Sequence, residues 1–237
     1  MTTPAVDRLS PQQIEDRLAR APVAYLPLGT LEHHGQHLPV GLDALTAHGI
    51  CLGAAELGGG VVLPPFHHGV GGEHTAYPWT IMSGAPDAIE TLLGETLARL
   101  SELGVRRAVI LSGHFADEQR DLVTRVADRW NAAGSATSVV ARTLGEAPDP
   151  PVLPDHAGRF ESLVLHALDP DLVHVERLPD ARSHPAPSGE DPYGAVRHDP
   201  DHPLHGIFGA DPRGLDTEMA APLLEHLVRW TASLADL

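Results

Sequence analysis

The amino-acid sequence predicts an α/β fold, a three-layer α/β/α sandwich with a mostly parallel central sheet. Short, wholly apolar runs of strand length alternate with longer segments whose apolar residues recur at helical spacing. This alternation is typical of βαβ units, in which helices bury both faces of each strand. The 237 residues, of which 42% are hydrophobic, are enough to bury one core. We therefore expect a single domain over residues 1–237.

The first half of the chain supplies three predicted helices and three predicted strands. Ser10 and Pro11 are typical of a helix start, and the apolar run at 23–28 predicts the first strand. Asp43 is suited to cap the helix that follows. The remaining segments of this half are predicted as a helix at 44–57, a strand at 61–65, a helix at 86–103 and a strand at 105–111.

The second half continues with one more strand and three more helices. A helical pattern runs to about Trp130, a β-branched run at 137–142 predicts the fourth strand, and helices are expected at 159–168 and 215–234. The Pro-, His- and Asp-rich segment at 183–205 has little hydrophobic periodicity. We expect an irregular, extended loop there, which either wraps a neighbouring subunit, covers a site or is partly disordered.

Charge and composition exclude several classes of protein. Asp and Glu number 32 against 16 basic residues, all of them arginine, so the formal net charge is -16. A duplex-binding protein needs a basic surface to displace counterions, and we therefore expect no nucleic-acid partner. No apolar run is long enough to cross a bilayer, and residues 1–8 lack the apolar stretch of a secretory signal. The sequence predicts a cytoplasmic protein with no membrane partner, and a single cysteine, Cys51, fits a reducing compartment.

The richest motif follows the first predicted strand. It is Gly-Thr-Leu-Glu-His-His-Gly-Gln-His-Leu-Pro at 29–39, with Asp43 close behind. Loops at the carboxyl ends of parallel strands form the binding crevice of α/β proteins, and an extended backbone points Glu32 and His34 to one side. One imidazole with two carboxylates is a ligand set that zinc, manganese or iron prefers. A solvated polar loop is the alternative for a lone Glu-x-His, and the addition of His37 and Asp43 weighs against it.

Two further motifs follow later strands. His114 lies in Ser-Gly-His-Phe-Ala-Asp-Glu at 112–118, just past the third predicted strand, and would project into the same crevice. Residues 155–162, Asp-His-Ala-Gly-Arg-Phe-Glu-Ser, bring His156 and Glu161 to the start of a predicted helix. Taken alone, His114 would more often be a core or capping histidine, and Glu161 could simply favour a helix N-terminus electrostatically.

Together these motifs resemble the creatininase family, also called creatinine amidohydrolases. The family's first motif, Gly-[Ser/Ala/Thr]-x-Glu-[Gln/His]-His-Gly-x-His-Leu-Pro followed by Asp, matches residues 29–43. Its third, His-[Ala/Gly]-Gly-x-x-Glu-[Thr/Ser], matches residues 156–162, and supporting matches occur at 72–80 and 206–212. Together with the family's second motif, whose altered counterpart lies at 112–117, these are five separated motifs in the family's order, which makes the resemblance specific. It extends from about Val23 to the last helix.

The resemblance implies a site for two divalent metal ions, zinc, manganese or iron. Asp43 would bridge the two ions. Glu32 and His114 would bind one of them, and His34 and Glu161 would bind the other. Two ions about 3.5 Å apart share a water, lower its pKa and polarise a substrate carbonyl, which is the chemistry of a hydrolase.

The resemblance also implies roles for residues around the metals. His156, together with Asp155, would handle protons. His37, Trp79 and Phe115 would contact a small-molecule substrate. The family further implies a homo-oligomer, commonly a hexamer.

The second family motif, Asn-Gly-His-Gly-Gly-Asn, is altered in this chain. Ser112 replaces the first Asn, and Phe115, Ala116 and Asp117 replace Gly-Gly-Asn. In creatinine-hydrolysing members a Glu at the Ala116 position binds the second metal, so here that metal would depend on Glu161. The tryptophans that those members place before the third motif are also missing. The resemblance therefore implies a member that acts on a substrate other than creatinine.

We therefore predict a metal-dependent amidohydrolase that cleaves a C–N bond of a small amide, formamide or cyclic amide through a metal-bound hydroxide. The same apparatus suits hydrolysis of a ring ketone or lactone. A metal-binding but catalytically silent relative is the third interpretation. Such a relative should lose its proton shuttle first, and the presence of His156 weighs against it.

Overall fold

A computed structural model describes residues 3–72, 76–184, 198–202 and 204–236 of the chain. In these ranges the strands are β1 (Val23–Leu28), β2 (Val61–Val62), β3 (Arg107–Ser112) and β4 (Ser138–Thr143). The α-helices are α1 (Pro11–Arg20), α2 (Leu42–Gly58), α3 (Pro86–Glu102), α4 (Asp117–Ala132), α5 (Arg159–Leu168) and α6 (Ala220–Ser233). Short 3-10 turns lie at Val6–Arg8, Leu144–Glu146, Pro170–Leu172, Val175–Arg177, Pro212–Gly214 and Thr217–Met219.

The strands form one sheet in the order β2-β1-β3-β4, and every neighbouring pair is parallel. The two central strands pair over their whole length, from Val23 opposite Arg107 to Leu28 opposite Ser112. All six residues of β1 are buried, which explains its unbroken apolar sequence. Because β1 and β3 end side by side, the loops that follow them begin at the same edge of the sheet.

Helices cover both faces of this sheet. On one face, α2, α5 and α6 pack over β1 and β3, with Cys51, Phe160 and Leu223 in the same apolar cluster as Tyr25 and Val109. On the other face, residues of α3 and α4 pack against the opposite sides of the same strands, with α1 at the margin. The predicted α/β sandwich with a parallel sheet is confirmed.

Two predicted strands have different limits in the structure. The second was expected at 61–65, but β2 has only two residues because Pro64 and Pro65 have no N–H to donate to a ladder. The third was expected from Val105, whose N–H instead donates to the carbonyl of Leu100 and closes the end of α3, so β3 begins at Arg107.

Two helices also begin elsewhere than expected. Asp43 was expected to cap its helix, but α2 begins at Leu42, after Gly41. Asp43 lies in the first turn of α2, and its carboxylate accepts a hydrogen bond from Thr30. The last helix was expected from residue 215. It begins at Ala220, because side-chain capping by Asp216 holds a 3-10 turn just before it.

Parts of two expectations lie outside the described residues. Glu73 and His74 of the supporting match at 72–80 are among them, as are 185–197 and 203 of the segment expected to be irregular. In the parts of the chain that the structure describes, no helix combines the length and apolar character needed to cross a membrane.

Candidate metal centre

Four segments bring the five predicted metal ligands together at the carboxyl edge of the sheet. The loop after β1 supplies Glu32 and His34, the loop after β3 supplies His114, and the first turns of α2 and α5 supply Asp43 and Glu161. All five are buried. Among the described residues, three overlapping groups of donor atoms are small enough to hold an ion. The first contains Glu32, Asp43 and His114, the second contains His34, Asp43 and Glu161, and the third combines Glu32 and His34 with His156. Asp43 is the residue common to the first two groups, which together contain all five predicted ligands.

His34 is oriented by its own loop. Its Nδ1–H donates to the main-chain oxygen of Glu32 at 3.0 Å, so Nε2 is turned toward the carboxylates. That nitrogen lies 3.2 Å from Oδ1 of Asp43 and 3.5 Å from Oε2 of Glu161. The ring therefore presents one nitrogen to the second group of donors.

His114 presents the other ring nitrogen. Its Nε2–H donates to the carbonyl of Val70 at 3.1 Å, and Nδ1 lies 3.1 Å from Oε1 of Glu32 and 3.6 Å from Oδ2 of Asp43. In each imidazole a hydrogen bond from one nitrogen thus selects the nitrogen that faces the carboxylates, as in metal-binding histidines.

Glu161 is held by a strained turn. Its Oε2 accepts a 2.6 Å hydrogen bond from the N–H of Ala157, which has a φ of 56°. Left-handed backbone is costly for a residue with a Cβ, and strained residues of this kind tend to cluster at functional sites. The turn at Ala157 therefore aims the carboxylate of Glu161 at the cluster.

The electrostatics of the cluster favour a cation. Burial would lower the pKa of His34, but nearby carboxylates, chiefly that of Glu161, outweigh burial and raise it to about 10. Burial would likewise lower the pKa of His114, and the carboxylate of Glu32 raises it to about 9. Burial raises the pKa of Glu161 well above its usual range. The carboxylates enclosed in the cluster thus stabilise the positively charged form of the two imidazoles.

Unpaired atoms fit the same interpretation. Among the described residues, ten buried side-chain polar atoms make no hydrogen bond, and three of them are Glu32 Oε2, His34 Nε2 and Asp43 Oδ1. A buried polar atom without a partner costs free energy, and all three belong to the residues around the cluster. Carboxylate and imidazole donors in this number suit zinc, manganese or iron, so the residues present fit a metal centre.

His156 lies beside the cluster. Its Nε2–H donates to the main-chain oxygen of His33 at 3.0 Å, and its Nδ1 lies 3.6 Å from Oε1 of Glu32. The ring also packs on that of His34, with centroids 4.6 Å apart. His156 therefore lies within reach of a group bound at the cluster.

The carboxylate of Asp155, which was expected to assist His156, makes its hydrogen bonds to the start of α5. Its carboxylate accepts hydrogen bonds from the N–H groups of Gly158 and Phe160, both at 3.2 Å, and so caps α5. Burial raises the pKa of this carboxyl to about 6 although these bonds favour its charged form.

The structure separates the three residues expected to contact substrate. Phe115 lines a pocket that opens over the cluster and packs edge-to-face on Phe160, with centroids 6.3 Å apart. His37 is fully buried, with Nε2 3.3 Å from Oγ of Ser162, and burial lowers its pKa to about 4. Trp79 is 81% exposed and is not among the residues that line this pocket.

The pocket has a volume of about 350 Å³. Three of the residues that line it, Glu32, His114 and Glu161, belong to the cluster, and Ala116 lines it as well. The described residues that line it are Glu32, Gly72, His114, Phe115, Ala116, Asp117, Glu118, His156 and Glu161.

Sequence reasoning missed one residue of the centre, Thr30. Its hydroxyl and its N–H both donate to Oδ2 of Asp43, at 2.5 and 3.2 Å. Thr30 lies inside the first motif, directly after the glycine that ends β1, and that position was the available signal.

The fold and the cluster define a class of protein, a parallel α/β protein with a buried carboxylate and imidazole centre at the carboxyl edge of its sheet. The family model for creatininase, creatinine amidohydrolase, matches residues 7–235. A creatinine amidohydrolase of Pseudomonas putida is 31% identical over 224 residues, which cover 82% of each chain. The chain therefore belongs to the creatininase family, as its motifs predicted.

The chain is also similar to other known proteins. A mycofactocin precursor peptide peptidase of Mycolicibacterium smegmatis is 30% identical over 164 residues, covering 66% of this chain and 62% of that one. A solved creatinine amidohydrolase (creatininase) superimposes with a TM-score of 0.80 at 27% identity, covering 98% of this chain and 96% of that one. A mutant creatininase in its zinc–zinc form gives the same TM-score at 25% identity, with 98% and 97% covered. The protein is accordingly a hydrolase, an amidohydrolase that acts on C–N bonds, and the predicted enzyme class is confirmed.

Proposed function

We propose that this protein is a metal-dependent amidohydrolase that hydrolyses a small amide, formamide or cyclic amide other than creatinine. The observation that supports it best is the buried cluster of five nitrogen and oxygen donors with unpaired atoms at the base of an open pocket. The reaction adds the elements of water across the C–N bond and yields a carboxylic acid and an amine, which stay in one molecule when the amide is cyclic. Ala116 and the lack of aromatic residues at 143–154 support a substrate other than creatinine.

The ligand assignment that we propose uses two divalent ions, zinc, manganese or iron. Glu32 and His114 would hold one ion, His34 and Glu161 would hold the other, and Asp43 would contribute to both. The sharing of Asp43 between the two groups of donors supports this assignment, and a structurally similar creatininase has been solved in a zinc–zinc form. When bound, the ions supply an activated water and polarise the substrate carbonyl.

The chain's own residues would complete the reaction. Nδ1 of His156 faces the cluster, and we propose that it receives a proton released at the attacking water and delivers it to the leaving nitrogen. Phe115 would lie against the substrate as a flat apolar wall, and the fixed ring of His34 and the turn at Ala157 would hold the donors in place. Asp155 would contribute by capping α5 and so fixing Glu161.

Elemental analysis and a substrate panel test this proposal together. Protein purified without chelator should contain up to two transition-metal ions per chain, lose hydrolysis of its amide on chelation and regain it when metal is restored. The panel should contain formamides, cyclic amides, lactones and ring ketones. Short peptides belong in it as well, because one relative is a peptide peptidase.

Two outcomes would contradict the proposal. A folded protein that is active without metal would exclude the metal mechanism. A fully loaded protein that hydrolyses no member of the panel would favour the silent relative.

We also propose, on family membership, that the protein is a homo-oligomer and specifically a hexamer. Light scattering of the active protein is the test. A stable, active monomer would refute it.

A further inference from the structure

Behind His114, away from the pocket, lies a closed circuit of hydrogen bonds centred on Gln119 of α4. The side chain of Gln119 is fully buried and uses both ends of its amide. Its Nε2 donates to Oγ of Ser112 at 3.2 Å, and its Oε1 accepts from the N–H of Val70 at 3.1 Å. One side chain thus joins the end of β3 to the loop at residue 70.

Both partners of Gln119 also bind His114. Oγ of Ser112 donates to the main-chain oxygen of His114 at 2.7 Å, and the carbonyl of Val70 accepts from Nε2 of the His114 ring at 3.1 Å. The main chain and the ring of this histidine are therefore held from two sides, and Gln119 fixes the distance between the two supports.

The circuit determines which nitrogen His114 offers. A carbonyl can only accept, so the proton must stay on Nε2, and Nδ1 is left to face Glu32 and Asp43. If Val70 shifted, the ring could rotate or change its tautomer, and Nδ1 would no longer point at the donors. Outer hydrogen bonds of this kind typically change metal affinity by about 10- to 100-fold.

We propose that Gln119, acting through Ser112 and Val70, is a positioning residue for the metal-binding nitrogen of His114. The proposal rests on the proposed metal centre. It assigns a task to Ser112 in the altered second motif, because a hydroxyl can accept from Gln119 while it donates to the main chain of His114. Gln119 does not touch substrate; it acts through the ring that it orients.

The test is the affinity of the whole protein for zinc, measured by competition with a chromogenic chelator. Gln119→Met keeps the shape of the side chain and removes both hydrogen bonds, so the zinc affinity should fall about 10- to 100-fold. Ser112→Ala removes the hydrogen bonds of the Ser112 hydroxyl to Gln119 and to the main chain of His114, and it should weaken zinc binding less. Because both act through the same ring, the double variant should lose less than the product of the two single effects.

The matched control is Thr231→Val in α6, which removes a buried polar group from a site remote in sequence. It should leave the zinc affinity unchanged. The absorption spectrum of the cobalt-substituted protein gives a second measurement, because the ligand-field bands should shift in Gln119→Met and not in Thr231→Val.

The outcomes separate this inference from the proposed function. If the wild type binds zinc tightly and Gln119→Met and Ser112→Ala match it in affinity and spectrum, the positioning role is wrong and the metal centre stands. If Gln119→Met does not fold, Ser112→Ala alone decides, and an unchanged affinity again overturns the role. A wild type that binds no metal overturns both proposals.

Discussion

Thr30 decides how the central carboxylate of the cluster is presented. Both of its hydrogen bonds go to Oδ2 of Asp43, which leaves Oδ1 facing Nε2 of His34. Burial would raise the pKa of Asp43, but the imidazole of His34 and these hydrogen bonds hold it below its usual range. Asp43 is therefore a fixed anion at the point where the two groups of donors meet.

Replacing Asp43 should damage metal binding more than replacing any other proposed ligand, because in the proposed assignment only Asp43 binds both ions. We expect Asp43→Ala to weaken binding of both ions by more than about 100-fold, beyond what loss of an outer hydrogen bond causes. Elemental analysis after dialysis measures the stoichiometry. Asp117→Ala, which removes an exposed carboxylate at the rim of the pocket, is the control and should retain both ions. Retention of both ions by Asp43→Ala would disprove the bridge.

Replacing His156 distinguishes a role in proton transfer from a role as a metal ligand. If it moves a proton, His156→Ala should keep the wild-type metal content and lose about 10²- to 10⁴-fold in kcat on the amide substrate. The proximity of its Nδ1 to Glu32 and His34 allows the alternative that it is a ligand, and loss of metal in the variant would establish that instead. His166→Ala, at the far end of α5, should change neither quantity.

At the scale of elements, the centre depends on how closely α2 approaches two strand ends. Gly29 follows β1 and Gly113 follows β3, and both lie directly against the first turn of α2. A Cβ at Gly113 would collide with the main chain of Asp43, and one at Gly29 with that of Ala44. Because Gly29 and Gly113 have no side chains, Asp43 can lie between the ends of β1 and β3.

Gly113→Ala should therefore push α2 away from the sheet. We expect it to lower the free energy of unfolding by about 1–3 kcal/mol, as overpacking does, and to weaken metal binding as well. Urea unfolding and chelator competition measure the two effects. Gly94→Ala in α3 is the control, since its Cβ would meet nothing within 4 Å and should be neutral or stabilising. Equal behaviour of the two variants would show that the close approach has no consequence.

The same elements explain what the sequence could and could not predict. Approximate strand positions follow from local apolar runs, and Glu32, His34 and His114 lie in polar motifs directly after two of them. The complete set of five clustered residues came from the resemblance of the motifs to the creatininase family, because Glu161 taken alone has no local signal beyond its place in a helix. Asp43 was expected to be a helix cap because its true partner, Thr30, is 13 residues away and makes a contact that no local pattern encodes. The contact between Gln119 and Val70 spans 49 residues and is equally invisible.

At the scale of the whole molecule, charge should dominate the response to salt. Acidic residues outnumber basic ones two to one, giving the net charge of -16, so like charges repel over the folded surface. Salt screens that repulsion over about 8–10 Å at physiological strength. Raising NaCl from 20 to 300 mM, roughly, should raise the melting temperature by about 2–4 °C, which corresponds to about 1 kcal/mol.

Differential scanning calorimetry at constant pH measures this shift. A variant with the exposed α4 acids replaced, Asp121→Asn with Asp128→Asn, should respond less to salt than the wild type. A melting temperature that falls with salt would mean that favourable ion pairs outweigh the net repulsion.

Because Cys51 is buried, the rate at which its thiol is modified reports how often the core opens. It is the single thiol in the sequence, it is fully inaccessible on α2, and burial raises its pKa above the usual range. An alkylating reagent can reach it only when α2 separates from β1, so the modification rate counts those excursions. Asp43 lies eight residues earlier on the same helix. Comparing the alkylation rates of Cys51 with and without added zinc, in the wild-type protein, would thus measure how strongly metal binding at the centre stabilises the packing of that helix against the sheet.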